Sequence, residues 1–301
     1  MTPPIRRLLA GVATLHPDDP ALGAALGLAA RAGAALQLVH VLAPEAAHAV
    51  PPALSRGSAL RGVVERASPG ATSGGRVTCR AVVGTPERVL RGAAVACCAD
   101  LLVLGATRRG ALAGAVLGTT AGRVLRSART PMLVVRGPLP DRPLRVLLTT
   151  DLSHHAVHAH ARGLALARGL GGPEPELRTL FVQPPELGGG YPVPLPWEAT
   201  AEHELVDFLD AEVPRVRSTP RIRAGEPAYE IVREAREWQA DVIVLGTHGR
   251  RGARRVFLGS VAETVLRHAP CACLVVPPVR LYSMEMETAR AAAGGALAGI
   301  G

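Results

Sequence analysis

Three glycines and a serine in the second half of the chain are spaced to cradle an anion. Gly246 and Gly249 are separated by two residues, and nine more residues lead to Gly259-Ser260. Glycine lets backbone N–H groups come up against a ligand with no Cβ in the way. Ser260 falls where a helix N-cap belongs, and a helix N-terminus attracts negative charge. A phosphorylated ligand suits this chemistry. The pattern is not a Walker A loop, because no Gly-Lys-Ser/Thr follows the glycines and the chain contains no lysine. Earlier in the chain, Asp151 offers a carboxylate that can accept hydroxyl or amine hydrogens.

Regular elements must hold these residues. Val242 to Leu245 is a short, β-branched apolar run that reads as a buried parallel strand ending at Gly246. Gly259-Ser260 opens an amphipathic helix with Val261, Val265 and Leu266 on one face, and Ala272 to Val276 is the next strand. Upstream, strands at Arg145–Thr150, Glu176–Val182 and Thr219–Ala224 alternate with helices at Ser153–Arg168, Glu198–Val213 and Pro227–Gln239. Such alternation argues for parallel β/α units. The Pro/Gly-rich stretch Gln183–Pro196 reads as a surface loop.

The same plan occurs earlier. DLLVLG at Asp100–Gly105 matches DVIVLG at Asp241–Gly246, Gly118-Thr119 matches Gly259-Ser260, and Gly84 and Pro86 match Gly225 and Pro227. All are 141 positions apart (246 minus 105, 225 minus 84), so the chain is a tandem duplication of one domain-sized unit. The first copy reads as strands at Arg6–Val12, Ala35–Leu42, Arg76–Val83, Leu101–Leu104 and Met132–Val135, with helices at Pro20–Ala32 and Pro51–Ala67 and one opening at Pro86. Gly137–Pro143, with three prolines, is the linker.

The glycine pattern between two strands, with its Gly-Thr-His-Gly opening and Leu-Gly-Ser close, resembles the nucleotide-binding signature of the universal stress protein family. The resemblance covers nearly the whole chain, to about Pro278. It implies two doubly wound α/β domains with five-stranded parallel sheets in the order 3-2-1-4-5. The expected bounds are 1–137 and 144–279, with 280–301 as a poorly ordered tail. It implies ATP, with or without Mg²⁺, as the bound cofactor. Asp151 would meet the adenosine end and Val182 would line the base pocket. Gly246, His248, Gly249, Arg250, Gly259, Ser260 and Val261 fall on ribose- and phosphate-contacting positions. An isolated aspartate in Asp151-Leu152-Ser153 would read first as a helix cap. The glycine signature across the same crevice shifts that reading toward binding. Family members often pair through the final strand, which implies an internal pseudo-dimer or a homodimer.

The first copy departs from the signature. Arg108 replaces the second glycine, and aligning Arg6 with Arg145 puts Val12 where Asp151 stands. Asp18 and Asp19 are the nearest acids, several residues beyond the strand end. The first copy is therefore expected to be structural and the second to hold the nucleotide.

Composition narrows the function classes. Among 301 residues, 48% are hydrophobic but only 3% aromatic, too few rings for a base-stacking single-strand platform. The net charge of +9 comes from scattered arginines, which reads as compositional bias rather than a nucleic-acid stripe. Arg250, Arg251, Arg254 and Arg255 crowd the signature loop, as a solvated basic loop or as contacts to phosphates or an acidic partner. Five cysteines, an odd number without a C-x-x-C pair, argue against a disulfide framework and fit a reducing cytoplasm. No signal peptide or membrane span is evident. His154, His155, His158 and His160 cluster on one expected helix, but no cysteine or second carboxylate completes a metal site, so they read as exposed. No nucleophile elbow or catalytic triad spacing is present. Three readings stay open: a nucleotide-binding regulator of a stress response, a nucleotide-free interaction protein with an unknown protein partner, and a weak ATPase.

Overall fold

The computed structural model describes residues 5–43, 57–72, 75–106, 119–127, 130–169, 175–184, 203, 205–207, 218–247 and 258–277. In the first half, β1 (Arg7–Val12), α1 (Pro20–Ala32), β2 (Ala35–Leu42), α2 (Ser58–Ala67), β3 (Val77–Val83), α3 (Pro86–Ala96), β4 (Leu101–Gly105), α4 (Thr119–Ser127) and β5 (Met132–Val135) follow one another. The second half runs β6 (Arg145–Thr150), α5 (His154–Gly169), β7 (Glu176–Gln183), β8 (Thr219–Ala224), α6 (Pro227–Glu237), β9 (Val242–Gly246), α7 (Ser260–His268) and β10 (Ala272–Val276). Of the helix expected over 198–213, residues 203 and 205–207 are helical and the others lie outside the described residues. The same is true of 51–56 of the helix expected from Pro51, of the expected loop beyond Pro184 and of the tail 280–301.

Each half has the expected strand order, β3-β2-β1-β4-β5 and β8-β7-β6-β9-β10, parallel throughout. The halves are not separate sheets. β5 and β10 pair antiparallel and join them into one ten-stranded sheet, with Cys273 opposite Val134, Leu274 opposite Leu133 and Val275 opposite Met132. Leu133 and Leu274 are equivalent residues of the repeat, so a pseudo-twofold axis passes between them. An unpaired β5 or β10 would present a row of free N–H and C=O groups, and this pairing satisfies both.

Successive strand residues point to opposite faces, and both faces are covered. On one face Leu8, Leu36, Leu133, Val146 and Leu274 pack with α1, α2 and α5. On the other Leu9, Leu102, Val134, Leu147 and Val275 pack with α3, α4, α6 and α7. Each apolar layer runs unbroken across the β5–β10 seam.

α5 lies unusually close to the sheet because Gly163 has no side chain. A Cβ there would stand 2.6 Å from Val244 Cγ2 and 3.2 Å from Leu148 Cδ2. Gly23 in α1, by contrast, faces open space. We expect Gly163→Val to cost about 1–3 kcal/mol by overpacking and Gly23→Ala to be neutral or stabilising by up to ~1 kcal/mol, both read by urea unfolding. Equal effects at the two positions would contradict the close approach of α5.

Candidate functional site

Strand order reverses at β6. From its end the chain goes to β7 on one side, while β9 lies on the other, paired through Val146–Val242, Leu147–Ile243 and Leu148–Val244. The carboxyl ends of β6 and β9 thus flank the switch point, where open α/β sheets bind their ligands. Asp151 directly follows β6, and Gly246 is the last residue of β9. Val182 is buried near the end of β7, the strand on the far side of β6.

The two ends of the glycine loop are tied together. Thr247 N donates to Val276 O at 3.2 Å, and Gly259 N donates to Thr247 O at 3.1 Å. A Cβ on Gly259 would already touch Thr247 O at 3.4 Å. Gly246 and Gly259-Ser260 are therefore brought side by side, whatever path the loop takes. His248, Gly249 and Arg250 lie outside the described residues.

One expectation needs correction. Gly259, at φ −58 and ψ 147, is the N-cap of α7, and Ser260 is its exposed first helical residue. With Gly259 rather than Ser260 as the cap, the helix starts one position earlier than a serine cap would start it. Gly259, having no side chain, gives α7 no side-chain cap. Val261 is half-buried against the core.

Asp151 does stabilise its own turn. Its Oδ1 accepts Ser153 N at 3.1 Å and also the Ser153 hydroxyl, while Leu152 N donates to Thr150 Oγ1 at 2.9 Å. Leu152 sits at φ +60, a rare conformation for a branched residue. Its side chain packs against Phe181 and Leu205, which holds the turn in this shape. Neither the left-handed turn nor its apolar anchor was foreseen. The tripeptide Asp151-Leu152-Ser153 contains no glycine or asparagine to signal a positive φ.

The first half differs, and here too the expected alignment is corrected. Asp100 N donates to Arg7 O and Asp241 N to Arg145 O, so Arg7, not Arg6, is equivalent to Arg145. Ala13, rather than Val12, therefore stands in the place of Asp151. The expected absence of a carboxylate at that position holds under the corrected alignment. Asp19 reaches back instead. Its Oδ2 accepts Ala13 N, Thr14 N and Thr14 Oγ1 at 2.9–3.1 Å, and its Oδ1 accepts Ala21 N and Leu22 N. Asp19 is only 4% exposed, and both its oxygens serve its own chain. The first turn of α1 also lies over the end of β4, with Pro20 Cγ 3.0 Å from where a Gly105 Cβ would be. Arg108 lies outside the described residues.

The histidines are corrected as well. His160 is not exposed but buried, its Nε2 at 3.1 Å from Thr149 O, and burial lowers its pKa to about 4. Thr149 Oγ1 in turn donates to Val244 O at 2.8 Å, tying β6 to β9 below the site. The side chains of His154, His155 and His158 lie outside the described set. No group of three or more metal-binding side chains occurs among the described residues. All five cysteines are free, and burial pushes the Cys273 thiol up to about 12. No helix among the described residues is long and apolar enough to cross a membrane.

A doubly wound sheet with its crevice between the first and fourth strands, repeated across a twofold seam, defines a class of α/β protein. The profile of the universal stress protein family matches residues 4–136 and 144–277, so this chain belongs to that family. It is 32% identical over 191 residues to a universal stress protein of Mycolicibacterium smegmatis, covering 60% of this chain and 62% of that protein. It is 32% identical over 140 residues to one of Methanocaldococcus jannaschii, covering 44% of this chain and 81% of that protein. A Pseudomonas aeruginosa crystal structure bearing the same family name shares the fold over 95% of this chain and 98% of its own, at 21% identity and a TM-score of 0.73.

Buried His160 makes a pH prediction. Its ordinary pKa of 6.5 falls to about 4 on folding, so between those values the unfolded chain binds the extra proton. The stability this contributes is complete above the unfolded value and is lost as pH falls toward 4. Lowering the pH from about 7 to about 5 is expected to cost on the order of 2 kcal/mol through this residue. Urea unfolding of His160→Leu should show a flatter pH dependence over that range. An unchanged slope would contradict the assignment.

Proposed function

We propose that the chain binds ATP, with or without Mg²⁺, in its second half and works as a nucleotide-dependent regulator of a stress response rather than as a dedicated enzyme. In this reading it comprises two units, 1–137 and 144–279, of which the second carries the ligand. Asp151 accepts hydrogen bonds from the adenosine end, and Val182 gives the base an apolar wall. Gly246, His248, Gly249, Arg250, Gly259, Ser260 and Val261 surround the ribose and phosphates. The first-turn amides of α7 and its dipole supply the anion-stabilising field.

The observation that carries the reading is the closure of the glycine loop. Gly259 N bonds to Thr247 O just beyond β9, which brings Gly246 and Gly259-Ser260 to the same carboxyl end of the sheet as Asp151 and supports this reading. The first half supports the contrast. Its acid, Asp19, is spent on its own loop, and Arg108 occupies the second glycine position.

Calorimetric titration with ATP tests the reading. A ligand bound only by the native state stabilises it by about 2.7 kcal/mol at a hundredfold excess over Kd. We expect measurable heat and a raised Tm for the unaltered chain, and neither for Gly249→Arg, which copies the first-half residue Arg108. An absence of heat and of any Tm shift at millimolar ATP would overturn the nucleotide reading. Wild-type affinity in Gly249→Arg would overturn the role of the glycine.

A further inference from the structure

α7 ends because Pro270 follows Ala269. The residue before a proline is pushed out of the helical region, and Ala269 sits at φ −56, ψ 137. Pro270 also has no N–H. The carbonyl of Leu266, four residues earlier, therefore lacks the donor a continuing helix would give it. Arg136, just past β5 in the other half, supplies one. Its Nη2 donates to Leu266 O at 2.8 Å and its Nε donates to Cys271 O at 3.3 Å. A guanidinium thus meets the negative end of the α7 dipole.

This contact crosses the seam in one direction. By the 141-residue repeat, the counterpart of Arg136 is Pro277, which has no side-chain donor. The counterpart of Pro270 is Arg129, whose backbone keeps its N–H. The first half therefore grips the helix of the second half, the half with the complete glycine spacing. α7 is about 13 Å long at the usual rise per residue, and its opposite end is Gly259-Ser260. Ala262, Val265 and Leu266 press it against the sheet. α6 packs beside it, and Arg236 Nη2 of α6 donates to His268 O at 3.4 Å, so Arg136 is the guanidinium from the other half at an end that α6 also holds.

We propose that Arg136 is a positioning residue for the phosphate end of the nucleotide site. By holding the C-terminal carbonyls of α7, it sets where the first-turn amides at the other end stand. The proposal rests on the reading of that N-terminus as the phosphate site. Asp151 and Val182, on other elements, hold the adenosine end without α7. Loss of Arg136 therefore weakens ATP and leaves adenosine alone.

Arg136→Met keeps most of the aliphatic stem and removes the donors, whereas Arg136→Lys keeps the charge. Both are titrated with ATP and with adenosine, and hydrogen exchange is followed at the α7 amides. The expected result for Arg136→Met is ATP binding weaker by about 5- to 10-fold, roughly the value of one ordinary hydrogen bond and less than a full charge-assisted one because the effect is indirect. Adenosine affinity stays unchanged, α7 exchange is faster, and the Lys variant recovers part of the loss. Should the Met variant fail to melt cooperatively, the Lys variant carries the same comparison. Unchanged ATP affinity, or equal loss of ATP and adenosine, overturns the proposal. If the unaltered chain binds no nucleotide, the nucleotide reading fails by that result alone. The hold of Arg136 on α7 is then judged by exchange: faster exchange in the Met variant supports it and unchanged protection overturns it.

Discussion

The structure depends on the backbone pairing of β5 with β10. Each half ends on a short apolar strand whose outer edge would otherwise be exposed. Pairing them antiparallel about Leu133 and Leu274 satisfies both edges. It also makes both apolar layers continuous from the first half to the second. The pairing is intramolecular, so no association cost is paid and the seam forms at any concentration of chain.

A symmetric seam joins two halves that have diverged in local chemistry. At the end of β6 the chain turns in three residues, and Asp151 is kept at the sheet edge by Ser153 and by the half-buried side chain of Leu152. At the end of β1 a longer loop folds back on Asp19, and α1 starts against Gly105. A carboxylate occurs near both sites, but only Asp151 directly follows its strand. His160 and Thr149 brace the second switch point from below by linking α5, β6 and β9. Arg136 extends the asymmetry across the seam.

Much of the fold was legible because its strands are continuous apolar runs separated by glycine, proline and polar turns. The constant repeat offset fixed equivalences from Gly84 to Gly118 and from Gly225 to Gly259. It did not fix the first strand. Leu8 to Val12 is apolar on both faces, so no alternation sets its register, and the Arg6-Arg7 doublet allowed a slip of one residue. The α7 cap depended on the ψ of Gly259, a backbone angle that a Gly-Ser pair leaves open. His160 was hidden by composition. α5 mixes histidine with alanine and glycine on every side, so it has no clear polar face from which burial could be read. The glycine spacing was visible because it is local. The bonds that close its loop, Gly259 to Thr247 and Thr247 to Val276, join residues distant in sequence.

Native mass spectrometry of the intact chain with increasing ATP tests most directly whether one half has become a site and the other a support. The expected spectrum gains one nucleotide mass per chain and then saturates. In Asp151→Ala combined with Gly249→Arg that single adduct should disappear while the chain remains folded. Two nucleotides of similar affinity per chain, or one that survives the double substitution, would contradict the assignment of the ligand to the second half.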